Sequence, residues 1–213
     1  MPTSIAKFTF NPFQENTYIL YDETGECAII DPGCYEQIER IELENYITEN
    51  KLRPVRLLNT HCHIDHVFGN KFVSETYGLP LEIHQHEKIV LSTVPHVAMI
   101  YGMPYNDPSP EAGRYIGEGE TIAFGNTKLK ALFTPGHSPG SLSFYCEAGN
   151  FVIAGDVLFK ESIGRTDLPG GDFDTLIKSI RKQLLPLGDD VNVHPGHGHS
   201  TTIGYERKFN PFL

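Results

Sequence analysis

The N-terminal part of the chain contains short runs rich in apolar and aromatic residues. The turn-forming pairs Asn11-Pro12 and Thr24-Gly25 separate these runs. Short runs of this composition that are bounded by turn residues are typical of strands. The pattern predicts short strands over residues 7–10, 16–21 and 27–30.

Other segments have features of helices. In the first, Ile38, Ile41 and either Leu43 or Ile47 recur among charged residues. In the last, Asp172 is placed to cap a helix whose apolar residues recur at helical spacing. The predicted helices span residues 35–50, 67–77 and 173–184.

Apolar runs also predict strands in the middle of the chain. These strands cover residues 55–58, 128–133, 141–146 and 151–154. Strands and helices therefore come in alternating layers, which favours an α/β (α+β) fold.

The stretch over residues 95–113 is rich in proline and glycine and shows little regular pattern. Its apolar residues 97–101 form either a mobile wall over a site or the anchor of a plain surface loop. Shortly before it, His84 and His86 alternate along a predicted strand and are interpreted as surface or rim residues.

Histidine and aspartate residues cluster directly after the apolar run 55–58. The segment 61–66 has the pattern H-x-H-x-D-H, and further His and Asp residues follow in glycine-containing turns. Imidazole and carboxylate ligands without a thiolate suit zinc, and also manganese or iron. Two such ions side by side can ionise water at neutral pH, which indicates hydrolysis. The predicted metal ligands are His61, His63, Asp65, His66, His137, Asp156 and His197.

The spacing of these residues suggests how two ions would share them. Residues two apart in an extended strand end point to the same side, so His61 and His63 are expected to bind one ion together with His137. A turn at Ile64 would direct the other ligands to a second ion, which takes Asp65, His66 and His197. Asp156 is suited to bridge the ions because a carboxylate has two oxygens, and Asp65 is also the candidate catalytic residue that orients water or moves its proton.

Residues next to the predicted ligands have supporting roles in this interpretation. Cys62 is expected to point away from its histidine neighbours into the core, and Ser138 to help aim His137. His194 and His199 flank the last ligand and are candidates for supporting it.

The order of these motifs resembles the metallo-β-lactamase superfamily, and within it the glyoxalase II-like hydrolases. The segments 156–159, 164–167 and 202–212 are similar to a short, single-domain bacterial branch. The resemblance implies a four-layer αββα sandwich, in which two mixed sheets pack face to face with helices outside. It also implies a binuclear metal site at one edge, with two Zn²⁺ per chain.

The resemblance further implies a thioester of glutathione, such as S-lactoylglutathione, as the substrate. Lys160 and Arg165 are candidate contacts to an anionic substrate of this kind. Full-length glyoxalase II proteins carry an additional C-terminal helical domain that helps to hold glutathione, whereas this chain ends soon after His197. A different ester or thioester therefore stays open.

Several other activities are weighed against hydrolysis of a thioester. Persulfide dioxygenases share the His and Asp positions but bind one iron, for which His61, His137 and Asp156 form a suitable face. A lactonase has the same ligand set, and a metal-binding protein without catalysis is a further alternative. Typical zinc β-lactamases have a cysteine where Asp156 stands, which disfavours that activity.

Composition limits the classes of protein and partner. At 213 residues with 39% hydrophobic content, the chain is expected to form one domain over residues 1–213. A net charge of −10 argues against nucleic-acid binding, which needs clustered basic residues. The 4 cysteines form no C-x-x-C pair, and neither a secretion signal nor a membrane span is recognisable, so a cytoplasmic location is expected. Oligomeric state stays open.

Overall fold

Two mixed β-sheets, each of 6 strands, pack face to face in the computed structural model, which describes residues 3–213. Helices cover the outer face of each sheet. Three separate clusters of buried apolar residues lie between the successive layers and hold them together. This arrangement confirms the expected four-layer αββα sandwich.

The first sheet contains the strands of the N-terminal half in chain order. Its strands are β1 (Ser4–Phe10), β2 (Glu15–Tyr21), β3 (Glu26–Ile30), β4 (Arg53–Leu58), β5 (Leu81–Ile83) and β6 (Ala112–Tyr115). β1, β2 and β3 are antiparallel neighbours, whereas β3 to β6 run parallel to one another.

The second sheet contains the strands of the C-terminal half, apart from a small separate hairpin. The strands are β7 (Thr121–Phe124), β8 (Thr127–Phe133), β9 (Leu142–Cys146), β10 (Phe151–Gly155), the hairpin β11 (Leu158–Phe159) and β12 (Ser162–Ile163), then β13 (Asn192–Pro195) and β14 (Thr201–Thr202). Within this sheet β10 and β13 are parallel, and the other neighbours are antiparallel.

Six α-helices lie outside the sheets or between strands within the described residues. They are α1 (Gln37–Glu49), α2 (Ile64–Val67), α3 (Asn70–Tyr77), α4 (Glu87–Tyr101), α5 (Phe173–Ser179) and α6 (Ile203–Phe209). The helix predicted over 67–77 is interrupted before Asn70, and the one predicted over 173–184 widens into a π-helical turn at Ile180–Leu184. Within residues 3–213, no helix combines the length and apolarity that crossing a bilayer requires.

Adjacent residues of the central strands belong to different cores. On β3, Ile29 packs towards the helices while Ile30 packs between the sheets, and on β4 Leu57 and Leu58 divide in the same way. All four side chains are fully buried. Strands covered on both faces read as near-continuous apolar runs, which agrees with the strand predicted over 55–58, where the one charged residue, Arg56, is half-buried.

The helix predicted over 35–50 is confirmed as α1, but its apolar residues do not all face the core. Ile38 and Ile41 are 74% and 45% exposed, whereas Leu43 and Ile47 are buried. Since each residue turns the helix by about 100°, Leu43 and Ile47 share a face, and Ile41 lies on the far side from Leu43.

The irregular structure predicted from residue 95 was also wrong for residues 95–101, which complete α4. Val94 and Ala98 are four positions apart and are both buried against the first sheet. This packing holds the helix through Pro95, and the helix ends at Gly102, whose φ of +65° is left-handed. The proposed wall is therefore helical.

His84 was predicted to be a surface or rim residue, and this prediction was wrong. His84 follows the end of β5, is 7% exposed, and its ring packs 4.5 Å from that of Phe133. Burial lowers the pKa of His84, which keeps the ring neutral and suits this apolar contact.

Removal of the Phe144 ring, which is fully buried between the sheets, is expected to destabilise the fold. We expect Phe144→Ala to lower the free energy of unfolding by about 3–5 kcal/mol, because it leaves a cavity in the central core. Denaturant unfolding followed by circular dichroism measures this, with Ile38→Ala, which alters an exposed side chain, as the control. Equal stability of the two variants would contradict the two-sheet core.

Candidate metal centre

The seven predicted ligands all lie in connections that follow strand ends. His61 and His63 come between β4 and α2, and α2 itself carries Asp65 and His66. The other three come from the second sheet: His137 lies between β8 and β9, Asp156 follows β10, and His197 follows β13. Facing sheets therefore bring residues far apart in sequence to one edge.

The structure brings the first predicted group together. His61, His63 and His137 each offer a ring nitrogen, and these nitrogens lie within 4.8 Å of one another. The Nε2 atom of His137 is 3.2 Å from Nε2 of His61 and 2.9 Å from Nδ1 of His63. His63 is the N-cap of α2, so its extended backbone separates its side chain from those of the helix.

The second predicted group converges beside the first. Asp65, His66 and His197 offer atoms that also lie within 4.8 Å of one another. Asp65 Oδ2 is 3.6 Å from His66 Nε2 and 3.1 Å from His197 Nε2. Asp65 and His66 are adjacent in the short α2, which directs both into the cluster.

Asp156 lies between the two groups. Its Oδ1 is 3.5 Å from His66 Nε2, and its Oδ2 is 3.5 Å from His137 Nε2 and 3.4 Å from His197 Nε2. A carboxylate so placed can contact a cation on either side.

Hydrogen bonds hold the ring nitrogens that point away from the cluster. His137 Nδ1 donates to the Arg165 carbonyl (2.7 Å), and His197 Nδ1 donates to the Gln14 carbonyl (3.2 Å). His66 Nδ1 lies 3.1 Å from Oδ2 of Asp31. Such bonds fix ring orientation and leave the opposite nitrogen free to bind a metal.

His61 is held in the same way through a hydroxyl. Thr60 Oγ1 donates its proton to Asp31 Oδ2 (2.6 Å), so it accepts a hydrogen bond from His61 Nδ1 at 3.1 Å. The lone pairs of His61 Nε2 and His137 Nε2 then face each other at 3.2 Å, an arrangement that a cation between them would relieve.

Unpartnered buried atoms also fit a bound cation. His66 Nε2 and Asp156 Oδ1 are buried without a hydrogen-bond partner. Leaving such atoms unpaired costs about 1–3 kcal/mol each, more for a charged group, and coordination would satisfy both. The ligand set of imidazoles and carboxylates matches zinc, iron or manganese.

Burial and neighbouring charge shift the imidazole pKa values in opposite directions in the two groups. Burial, reinforced by nearby imidazoles, lowers the pKa of His61 well below its usual range and that of His63 to about 3. Burial also acts to lower the pKa of His66, but the charges of Asp65 and Asp156 outweigh it and the pKa is raised well above its usual range. The first group is thus neutral, while the second holds a proton that a cation would displace.

Sequence reasoning missed two buried carboxylates that support the ligands. Asp31 directly follows β3 and contacts both His66 and Thr60. Glu87, the first residue of α4, accepts hydrogen bonds from Cys62 N (2.7 Å), Ser138 Oγ (2.6 Å) and Gly140 N (2.7 Å). The position of Asp31 directly after a buried strand could have indicated a role at the site. Nothing in the sequence around Glu87 indicates such a role.

The prediction that Cys62 points into the core is confirmed, since Cys62 is fully buried under the first sheet. Ser138 is buried and its hydroxyl donates to Glu87, so its role in aiming His137 stays a prediction. His194 instead packs edge-on to Tyr18 and Phe151, and His199 is exposed, so neither supports a ligand directly.

Two glycines allow the ligand connections to pack closely. A Cβ at Gly196 would lie 2.1 Å from Asp156 Oδ1, and a Cβ at Gly164 would lie 1.9 Å from the Asp156 carbonyl oxygen. Both contacts are far below van der Waals distance, so only glycine permits the connections to approach Asp156.

A cavity of about 640 Å³ opens over the cluster. Asp65, Asp156 and His197 lie in its floor, and Arg165 contributes to its wall. Lys160 is not among the lining residues, and its Nζ lies 5.6 Å from the centre of the Tyr205 ring. The structure therefore brings one of the two predicted substrate cations to the site.

Comparison with known proteins agrees with this geometry. The family model of the metallo-beta-lactamase superfamily matches residues 10–197. Hydroxyacylglutathione hydrolase GloC of Haemophilus influenzae is 38% identical over 204 residues, covering 94% of this chain and 93% of that protein.

Solved structures extend the comparison to the whole fold. The BLEG-1 B3 metallo-beta-lactamase superposes with a TM-score of 0.90 at 35% identity, covering 99% of each chain. TTHA1623, solved in a di-iron-bound form, superposes with a TM-score of 0.86 at 37% identity, covering 98% of this chain and 100% of the other.

Weakening the support from Glu87 is expected to reduce metal affinity at the first group. In Glu87→Gln an NH₂ group, which donates hydrogen bonds, replaces one of the two accepting oxygens. Either Cys62 N or the 138–140 turn therefore loses its acceptor. We expect added Zn²⁺ to bind about 10- to 100-fold more weakly at this group, measured by competition with a chromogenic chelator. Lys88→Gln, at the exposed neighbouring position, is the control, and unchanged affinity in Glu87→Gln would refute the role.

Metal binding is expected to release protons near neutral pH. Burial acts to lower the pKa of His197, but a hydrogen bond that His197 donates to the Asp65 carboxylate and the charge of Asp156 outweigh it and raise the pKa, as similar charges raise that of His66. Raised pKa values keep these imidazoles protonated above the usual value of about 6.5, so Zn²⁺ affinity should fall as the pH falls, from a higher pH than for ordinary histidines. Calorimetry in buffers of different ionisation enthalpy counts the released protons, and a count of zero at pH 7 would contradict this.

Proposed function

The chain belongs to the metallo-β-lactamase superfamily, and on this premise we propose that it is a metal-dependent hydrolase of thioesters, with S-lactoylglutathione as the reference substrate. The observation that carries the proposal is the convergence of imidazoles and carboxylates from both sheets in the floor of one cavity. The name of the GloC relative supports a hydroxyacylglutathione as the compound to test first.

The proposed centre holds two divalent ions. His61, His63 and His137 would bind one, Asp65, His66 and His197 the other, and Asp156 would contact both. Zinc is the proposed metal because imidazole and carboxylate ligands suit it. Iron or manganese fits the same ligands, and the di-iron form of TTHA1623 supports iron as the alternative.

When bound, such a pair of ions supplies Lewis acidity that polarises a carbonyl and lowers the pKa of a water molecule to about 7. Asp65 is proposed to orient this water and to take its proton, since its carboxylate lies in the cavity floor beside His197. The water oxygen then bonds to the acyl carbon and the carbon–sulfur bond breaks. The proton passes from Asp65 to the departing sulfur, which leaves a carboxylic acid and a thiol.

Arg165 is proposed to contact the anionic end of the substrate at the cavity wall. Its guanidinium is 57% exposed and makes two hydrogen bonds of 2.7 Å to the Asp167 carboxylate. The substrate role predicted for Lys160 stays a prediction, because its side chain lies outside the residues that line the cavity.

Two other activities can be assayed with the same purified protein. A lactonase would hydrolyse lactones with the same ligand set, and the similarity to BLEG-1 adds a β-lactam to the compounds to test. A persulfide dioxygenase would use one iron, held by His61, His137 and Asp156, and would consume oxygen with glutathione persulfide.

Replacing the carboxylate between the two groups is expected to abolish most of the activity. Because Asp156→Ala removes the atoms that contact both groups, we expect kcat/KM for S-lactoylglutathione to fall on the order of 10³-fold, with fewer than two metal ions retained per chain. Thiol release and metal analysis measure the two effects.

Asp174→Ala, which removes an exposed carboxylate in α5, is the control and should leave both quantities unchanged. Largely intact hydrolysis in Asp156→Ala would refute the two-ion proposal. Oxygen uptake with one iron per chain would favour the dioxygenase instead.

A further inference from the structure

The wall of the cavity is much more apolar than its floor. On one side the face of α4 presents Ile89, Val90, Val97 and Tyr101 to the cavity. A second set of apolar residues, Phe13, Phe159, Ile163 and Leu168, comes from other segments. Apolar side chains make up most of the lining outside the ligand cluster, with Thr93, Ser162 and Arg165 among them, so a bound molecule meets the ligands at one end and mostly hydrocarbon along its length.

The exposed side chains of this wall are not needed for the core. Val94 and Ala98 bury the inner face of α4, while Ile89 is 66% and Tyr101 is 50% exposed. The ring of Tyr101 makes an edge contact with that of Phe13, with centroids 5.5 Å apart, which joins the two sides at the rim. Contiguous exposed apolar surface at a cavity is typical of a binding surface.

Outside the proposed metal site, the lining of the cavity offers few cationic side chains to an anionic molecule. Within residues 3–213, Arg165 is the one lysine or arginine that lines it, and Asp167 already pairs with that guanidinium. Glutathione carries two carboxylates, and burial of a carboxylate without a partner is strongly unfavourable. The charges on this wall therefore fit an uncharged group better than a tripeptide.

The apolar wall is held at a fixed distance from the metal ligands. Glu87 belongs to the first turn of α4 and accepts hydrogen bonds from both connections that carry His61, His63 and His137. On the other side, the Phe159 ring packs edge-on to His197 at 6.3 Å. Apolar surface thus begins at the ligands themselves, where the reacting carbonyl must lie.

We propose that the substrate is a thioester whose acyl part is an uncharged apolar chain, longer than lactoyl, that lies along the face of α4 with its carbonyl at the ligand cluster. This inference rests on the proposed thioester hydrolysis and specifies the substrate class. The thiol part extends to the open side of the cavity, where its proposed contact Arg165 is exposed and already paired with Asp167, so the thiol contributes less to recognition than the acyl chain.

The test is a series of thioesters with the metal-loaded protein. Acetyl, butanoyl and hexanoyl esters of N-acetylcysteamine vary the chain on an uncharged thiol, and the same acyl groups on glutathione vary the thiol. Burial of each methylene should raise kcat/KM roughly three- to four-fold. Exchange of N-acetylcysteamine for glutathione should change it less than about three-fold.

A matched pair of variants locates the acyl chain. Ile89→Ala removes a side chain from the cavity wall and should reduce the gain between butanoyl and hexanoyl esters. Ile100→Ala is the control, because Ile100 is on the same helix, is 69% exposed and is not among the lining residues. An equal gain in the two variants would place the chain elsewhere and overturn the inference.

Binding of analogues that cannot be cleaved separates this inference from the proposed activity. Ketones in which a methylene replaces the sulfur should bind more tightly with each acyl methylene, as measured by calorimetry. Hydrolysis without any chain-length dependence, or a glutathione ester preferred more than ten-fold, would overturn the inference and leave thioester hydrolysis standing. Absence of any thioester hydrolysis would overturn the proposed function, and the ketone series would then decide the chain preference by itself.

Discussion

The buried carboxylate of Asp31 is the interaction on which the site geometry depends most. It accepts hydrogen bonds from Asn59 Nδ2 (3.1 Å), Thr60 N (2.7 Å) and Thr60 Oγ1 (2.6 Å), and it lies 3.1 Å from His66 Nδ1. Bonds to a charged acceptor in a low-dielectric interior are strong, so this one side chain orients His66 directly and His61 through Thr60. Its φ of +49° is left-handed, a conformation that aspartate adopts more readily than most residues.

Hydrogen bonds between the two sheets position the ligands that come from the second sheet. Asn16 of β2 donates its backbone N–H to the Gly196 carbonyl (2.7 Å), and the Tyr18 hydroxyl donates to the Pro195 carbonyl (2.7 Å). The turn that carries His197 is thereby attached to the first sheet, although it follows a strand of the second. Ligands on irregular connections become precise because two rigid sheets hold those connections from both sides.

The parts of this molecule that were predictable are those encoded locally. The buried strand before His61 reveals itself as an apolar run, and the H-x-H-x-D-H pattern lies within one connection. The bounds of β5, the short strand β6 and the helical continuation of α4 through Pro95 were not predictable in this way, because pairing within the first sheet and packing against it decide them. Glu87 was missed for the same reason, since its partners are 25 and more residues away in sequence.

One helix serves both the metal ligands and the substrate wall, and this joint use constrains how the site can vary. Glu87 at the start of α4 must keep its position, because two ligand connections depend on its carboxylate. The exposed side chains of the following turns do not hold the ligand connections, and Ile89 or Tyr101 can be replaced without disturbing the core. In the proposed site, chemistry and specificity are therefore separable along a single helix: its first turn stabilises the ligand geometry, while its later turns are proposed to set which acyl group fits.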